Sequence, residues 1–181
     1  MTIFYGDDDD TDEVRFKFEM RGKNELIIIG AKPGKARGKN SNQSDWTTDA
    51  TVERILAFSL LNWNYTKVQF NGFLLLNISA QSDIGNRNLK QNLCKIDTAL
   101  NGMENVSVLL AYGDIKRELK DDLKIIVKQL HKQYHATFFQ LGDTLTSKKN
   151  PRQICPRNLD DLPITTSLQP FDSVQLTNLL K

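Results

Sequence analysis

Cysteine and long apolar stretches are both scarce in this chain of 181 residues. Its two cysteines, Cys94 and Cys155, are too few for a disulfide scaffold and are not spaced as paired metal ligands. Apolar runs such as residues 26–29 and 73–76 are far shorter than the roughly 20 residues that a membrane-spanning helix needs. The N-terminal residues also lack the basic and then apolar pattern of a secretory signal. We therefore expect a cytoplasmic protein with reduced thiols and no membrane contact.

The amino-acid composition is that of a folded domain with a basic body. Hydrophobic residues make up 39% of the chain and charged residues 25%, which excludes a disordered, collagen-like or coiled-coil protein. Six of the 22 acidic residues lie within positions 1–13, whereas residues 14–181 have 24 basic and 16 acidic residues and a net charge of +8. We expect residues 1–13 to be an acidic, mobile segment and residues 14–181 to be one domain. Such a body attracts polyanions, including nucleic acid, although a solubilising surface accounts for the same charge.

Short β-branched and leucine-rich runs alternate along the chain with stretches of helical apolar spacing. The runs predict four strands, at residues 26–29, 73–76, 106–110 and 136–141. The alternation predicts a single three-layer α/β domain, in which helices cover both faces of a mainly parallel central sheet. Residues 14–18 alternate between apolar and charged side chains. We expect them to form a strand that pairs with residues 26–29 as an N-terminal β-hairpin.

Helical spacing predicts where the helices begin and end. Apolar residues recur every three or four positions over residues 52–60, 89–100 and 115–130, and Asp114 is the expected N-cap of the longest helix. The chain after residue 142 contains four prolines, so we expect loops there, with a short helix over residues 174–180.

Ligands of such sheets bind outside the carboxyl ends of the strands, and the first strand end opens a long, basic, glycine-containing loop. This loop lacks the Gly-Lys-Ser/Thr of a Walker motif, which argues against nucleotide hydrolysis of that type. Its backbone N–H groups and cations can hold a phosphate or a nucleic-acid backbone, or its lysines can simply face solvent. Asn77 ends the second strand, where its amide can read the edge of a base or only tie the loop backbone together.

Other common kinds of site have little support in the sequence. His131 and His135 are four residues apart, as in a metal pair, but no Glu lies between them. No serine lies in a Gly-x-Ser-x-Gly elbow, so nucleophilic hydrolase chemistry is not indicated. We predict neither a metal nor a cofactor.

Three segments together resemble a bacterial and phage family known as domain of unknown function 1643. They are LIIIGAKPGKA at 26–36, DATVER at 49–54 and LLLNISA at 74–80. The arrangement is also similar to the uracil-DNA glycosylase superfamily, whose motifs occur in the same order as four segments of this chain. Those segments are GAKP at 30–33, LLLN at 74–77, LLAYG at 109–113 and CPR at 155–157.

The resemblance implies a glycosylase-like fold with a cleft for a nucleobase or nucleotide. It implies base or ligand contacts from Ala31, Lys32, Asn77 and Cys155, and phosphate contacts from Gly34, Lys35, Arg37 and Arg157. Two departures bear on catalysis, because Lys32 lies where the family has a water-orienting acid and Cys155 lies where it has a catalytic His. Asp49 is the nearest substitute carboxylate and the one catalytic candidate.

Two functions of different classes follow from this pattern. The first is a protein that binds nucleic acid, a nucleotide or a nucleobase, with N-glycosidic hydrolysis of a modified base as its reaction if it is an enzyme. The second is a catalytically inactive scaffold that serves as a protein-interaction or inhibitory module in phage–host conflict. In both cases we expect uracil excision to be absent or very weak.

Overall fold

The apolar runs of the sequence form the centre of a mainly parallel sheet. The structure is a computed structural model that describes residues 2–5, 16–19, 25–31, 53–55, 72–78, 93–94, 96–98, 100–142, 145–146, 150–153 and 167–181. Seven strands lie within these residues: β1 (Thr2–Tyr5), β2 (Phe16–Glu19), β3 (Glu25–Gly30), β4 (Gly72–Asn77), β5 (Ser107–Leu110), β6 (Thr137–Leu141) and β7 (Leu168–Pro170). The four strands predicted from the apolar runs are β3, β4, β5 and β6, so those predictions are confirmed.

The strands lie in the order β1-β2-β4-β3-β5-β6-β7. The four inner strands, from β4 to β6, are parallel to their neighbours in this group, whereas the outer strands pair antiparallel. β3 lies between β4 and β5 and is paired with both. A strand in this position offers no edge to water, which explains why residues 26–29 form an uninterrupted apolar run.

The predicted N-terminal hairpin is wrong in its pairing. β2 pairs antiparallel with β4, and β4 separates it from β3. On its other side β2 pairs antiparallel with β1. Residues 2–5 therefore belong to the sheet rather than to a mobile segment, while the acidic positions 7–13 lie outside the described residues.

Alternate side chains of the inner strands are buried on both faces of the sheet. One face contributes Ile27, Ile29, Val108 and Leu110 to the main hydrophobic cluster. The residues that alternate with these, among them Leu26, Ile28, Phe73, Leu75 and Leu109, are also buried. Because both faces are covered, the described residues have the layered α/β arrangement that the sequence predicts.

Two helices with complete bounds pack in the layer over that cluster. They are α1 (Arg117–Tyr134) and α2 (Ser173–Leu180), and shorter helical segments are described at 53–55, 93–94 and 96–98. α1 buries its apolar stripe, which includes Leu119, Leu123 and Leu130, in the cluster. The short helix predicted near the C-terminus corresponds to α2. Within the described residues, neither helix is long and apolar enough to cross a membrane.

The predicted N-cap of the long helix is wrong. Lys116 is the N-cap residue of α1 and makes no side-chain capping bond. Asp114 instead accepts hydrogen bonds from Thr146 Oγ1 at 2.7 Å and from Asn150 Nδ2 at 2.8 Å. A carboxylate just before a helix commonly caps its N-terminus. The Asp114 carboxylate is instead hydrogen-bonded to residues that follow β6.

Candidate functional site

The strand order has a switch point at the carboxyl edge of the sheet. From the central strand β3 the chain continues to β4 on one side, and later returns to β5 on the other side before it reaches β6. In open parallel sheets, ligands bind where the connections diverge in this way, outside the carboxyl ends of the two strands. The relevant ends are those of β3 and β5, with the end of β4 beside them.

Asn77 and Gly30 lie opposite each other at the ends of β4 and β3. A Cβ atom on residue 30 would lie 2.7 Å from Oδ1 of Asn77, so the amide rests against the bare backbone of the glycine. The chain then continues in register, since the Ile78 N–H donates to the carbonyl oxygen of Gly30 at 2.9 Å. Asn77 is half-buried at this end of the sheet, and its amide contains both a donor and an acceptor.

The end of β5 is held beside β3 by backbone hydrogen bonding. The Ala111 N–H donates to the carbonyl oxygen of Ile29 at 3.0 Å. Gly113 follows with a φ of 64°, a left-handed conformation that strains residues with a side chain. The turn at Gly113 exposes the backbone groups of Tyr112 and Gly113 to the chain that comes after β6.

Residues 150–153 join this edge from a distant part of the sequence. The Gly113 N–H donates to the carbonyl oxygen of Pro151 at 3.0 Å, and Gln153 Nε2 donates to the carbonyl oxygen of Tyr112 at 3.2 Å. The Gln153 side chain lies so close that a Cβ atom on Gly113 would be 2.3 Å from its Cγ. We call residues 30–31, 77–78, 112–114 and 150–153 the strand-end cluster.

Hydrogen bonds to Asp114 hold the last part of the strand-end cluster in place. Besides the two side-chain bonds to Asp114, Thr146 and Asn150 bond to each other, with Thr146 N donating to the carbonyl oxygen of Asn150 at 2.9 Å and Asn150 N donating to Thr146 Oγ1 at 3.1 Å. Asn150 is only 8% exposed, and its amide must be paired to be buried at low cost. These hydrogen bonds fix the position of Asn150, from which the chain continues toward Cys155.

The tyrosine in this cluster is buried. The Tyr112 side chain is 3% exposed, and burial raises the pKa of its phenol well above the usual value. A phenol is already neutral at physiological pH at its usual pKa, so this shift affects stability only at high pH.

The structure describes two of the predicted site residues, and both lie in the strand-end cluster. Ala31 directly follows β3, and Asn77 ends β4. The remaining candidates lie outside the described residues: Lys32, Gly34, Lys35, Arg37, Asp49, Cys155 and Arg157. The predicted meeting of the segments 30–35, 77–82 and 155–157 stays a prediction, although residues 150–153 already lie against the end of β5.

Three members of the cluster carry contacts that the sequence argument did not assign. Asp114, Asn150 and Gln153 join the β5 and β6 ends, and their pairing depends on chain segments more than 30 residues apart. The sequence features that could have indicated these contacts are Gly113 and Pro151, because glycine and proline mark turns. His131 and His135 lie elsewhere: His131 is in the last turn of α1 with its ring 6.4 Å from that of Phe138, and His135 ends the helix with a φ of 49°.

No family model matches the chain, and neither does any curated protein or solved structure. Function is therefore argued from the side chains at the strand ends, because one fold can serve many functions.

Proposed function

We propose that this protein binds nucleic acid, a nucleotide or a nucleobase in a glycosylase-like crevice at the carboxyl ends of β4, β3 and β5. The observation that carries the proposal is the position of Asn77, whose amide oxygen lies against Gly30 at the point where the sheet connections diverge. An asparagine amide donates and accepts at once, which matches the Watson–Crick edge of a base. The glycine in the facing position leaves room for that amide to lie against the strand end, since a Cβ atom there would be 2.7 Å from its oxygen.

Cations in the sequence supply the phosphate contacts of this proposal. Residues 14–181 have a net charge of +8, and the segment that follows Ala31 in the sequence contains Lys32, Lys35 and Arg37. In this proposal, Gly34 and its neighbours donate backbone N–H groups to a phosphate, and Arg157 contacts phosphate through its guanidinium. Contacts of this kind fix position on a strand without reading its sequence.

Hydrolysis of a glycosidic bond makes a separate demand on the site. It needs a group that orients water and a group that stabilises the departing base, and these positions hold Lys32 and Cys155. A thiol is a poor hydrogen-bond donor, and an ammonium cannot serve as the water-orienting carboxylate. Asp49 is the candidate for that carboxylate, so we propose binding with excision of uracil absent or very weak.

The same two replacements favour a second function. A scaffold that has lost its acid and its His can persist as a protein-interaction or inhibitory module, with a protein rather than a base in the crevice. Binding of oligonucleotides and nucleotides separates the two functions, because the module needs neither.

The first prediction tests nucleic-acid binding by gel-shift titration with single- and double-stranded oligonucleotides. Affinity should fall at least about tenfold between about 50 and 200 mM salt, since three or four neutralised phosphates release counterions. N77A should weaken binding about tenfold because a bidentate amide contact is lost. N101A, which removes an exposed amide on the turn after residue 100, is the matched control and should leave binding unchanged.

Two further measurements, binding by G30A and uracil excision, separate binding from catalysis. G30A should weaken binding as N77A does, because the new methyl group displaces the Asn77 amide while the fold keeps its strands. Uracil release from uracil-containing DNA should stay at background. Binding that does not depend on salt concentration, or that is unchanged in N77A, would reject the nucleic-acid function. Rapid uracil release would show that Lys32 and Cys155 do not prevent catalysis.

A further inference from the structure

A groove of about 450 Å³ lies where α1, α2 and Asn150 meet, next to Tyr112. Its size falls in the range of small-molecule sites, about 300–1,000 Å³. Leu123, Phe171 and Leu179 give it an apolar surface, and the first two of these are almost fully buried. The groove lies on the helix side of the β5 end, apart from the position of Asn77 and Gly30 at the neighbouring strand ends.

Two lysines, Lys120 and Lys124, line the groove. Lys120 and Lys124 are four residues apart on α1, and no Asp or Glu is among the described residues that line the groove. Neither ammonium group has a hydrogen bond or an ion pair within the part of the chain that the structure describes. Like charges at this spacing repel each other on a helix. An anion bound between them would remove that repulsion and gain two charge-assisted hydrogen bonds.

Neutral polar groups surround the apolar surface. Tyr112 lines the groove, is 3% exposed and has a neutral phenol hydroxyl at physiological pH. Asn150 uses its Nδ2 on Asp114, and no described group donates to its Oδ1. Gln175 also lines the groove, and its Oε1 is buried with no hydrogen-bond donor among the described residues. Buried amide oxygens need donors, so this groove suits a ligand with N–H or O–H groups as well as a negative charge.

We infer that this groove binds a small organic phosphate of nucleoside-monophosphate size, with its phosphate between Lys120 and Lys124. The ring of this ligand packs on the apolar surface of Leu123 and Phe171. The polar edge of the ring contacts the amides of Asn150 and Gln175. An inorganic anion would contact only the two lysines, whereas a neutral nucleoside would contact only the apolar surface and the amides. The site is independent of base reading at Asn77, so either can exist without the other.

Isothermal titration calorimetry with the full chain tests the site. The probes are the four common ribonucleoside 5′-monophosphates, the corresponding nucleosides and inorganic phosphate. At least one monophosphate should bind at least about tenfold more tightly than inorganic phosphate and than its own nucleoside, because only it uses both parts of the groove. N77A should leave this binding unchanged.

Single-residue variants locate the ligand. K120Q and K124Q should each weaken binding about tenfold, since each removes one charge-assisted hydrogen bond. K132Q is the matched control: Lys132 is exposed on the same helix, does not line the groove and should have no effect. N178W fills the groove from its exposed rim without changing the charge and should abolish binding. Circular dichroism of each variant verifies that it is folded.

Several outcomes overturn the inference. They are no saturable binding of any monophosphate, equal affinity for inorganic phosphate, an equal loss with K132Q, and full binding by N178W. A loss of binding with N77A would move the ligand to the strand-end crevice and likewise overturn it.

Discussion

At the scale of single residues, the strand ends are shaped by two glycines that leave room for neighbouring side chains. Gly30 faces the amide oxygen of Asn77, and Gly113 faces the aliphatic part of Gln153. The two positions differ in backbone conformation, because only Gly113 has a positive φ, of 64°. A side chain at residue 30 therefore meets one amide, whereas a side chain at residue 113 also strains the backbone.

The second prediction compares Gly113 with a glycine of similar conformation. Gly102 has a φ of 77°, but a Cβ atom there would have nothing within 4 Å. G102A should cost about 1 kcal/mol of unfolding free energy from backbone strain alone. G113A should cost about 2 kcal/mol or more, because its methyl group also displaces Gln153. Urea denaturation measures both values.

A double variant separates strain from contact at this site. G113A combined with Q153A should recover the part of the loss that exceeds the loss of G102A, since the obstructing side chain is gone. Equal losses for G113A and G102A would contradict the close contact with Gln153.

At the scale of elements, α1 is anchored by side chains from other parts of the chain. Asp97, in the helical segment 96–98, accepts hydrogen bonds from Gln129 Nε2 and from the Tyr134 hydroxyl, the latter at 2.7 Å. Burial, the hydrogen bond to Asp97 and the charge of Asp97 together raise the pKa of Tyr134 to about 12. The helix ends just beyond, where His135 adopts a left-handed conformation and its N–H donates to the carbonyl oxygen of Leu130.

The third prediction concerns stability at high pH. Folding holds the Tyr134 phenol neutral, so its contribution is complete below the unfolded pKa of 10.0 and is lost as pH rises through the folded value of about 12. Y134F should lower the unfolding free energy by about 1 kcal/mol at neutral pH through the lost hydrogen bond. The stability of Y134F should then fall less steeply than that of the wild type between about pH 10 and 12.

Tyr112 also contributes to the loss of stability at high pH. Burial raises the pKa of its phenol as well, so Y134F should retain some loss of stability at high pH. Urea denaturation over the pH series gives the comparison. Parallel pH profiles of the wild type and Y134F would show that Tyr134 is not held neutral by folding.

At the scale of the whole molecule, charge and sheet edges are distributed unevenly. The parallel centre is enclosed by antiparallel strands, β1 and β2 on one side and β7 on the other. Between β1 and β2 the sequence contains six acidic residues, while the rest of the chain is strongly basic. Because these acidic residues follow β1 in the sequence, we expect them to lower the field that a polyanion meets as it approaches the domain.

The fourth prediction tests that screening. Replacing Asp7, Asp8, Asp9 and Asp10 with Asn removes four negative charges and raises the net charge from +2 to +6. Oligonucleotide affinity at low salt should increase several-fold, and the difference from the wild type should shrink at moderate salt. Gel-shift titration at the two salt concentrations measures this, and identical affinities at low salt would show that these residues do not screen the domain.

The sequence by itself determined which segments are inner strands and which are helices. Residues 26–29 and 73–76 are apolar at every position, and only a strand covered on both faces buries such a short run completely. The same pattern indicated where polar groups follow the strands, and so it singled out Asn77, whereas Ala31 came from the resemblance to known families. Local periodicity carries this information because it reflects the burial of each residue in its own element.

Only the tertiary structure decided which elements pair and which distant side chains meet. β2 pairs with β4 rather than with its neighbour in sequence, β3, because strand pairing is set by the packing of the whole sheet. Asp114 is in a position typical of a helix cap, yet it accepts hydrogen bonds from Thr146 and Asn150. These contacts join segments more than 30 residues apart, and no local pattern specifies which of several possible partners a carboxylate or a strand edge will find once the chain is folded.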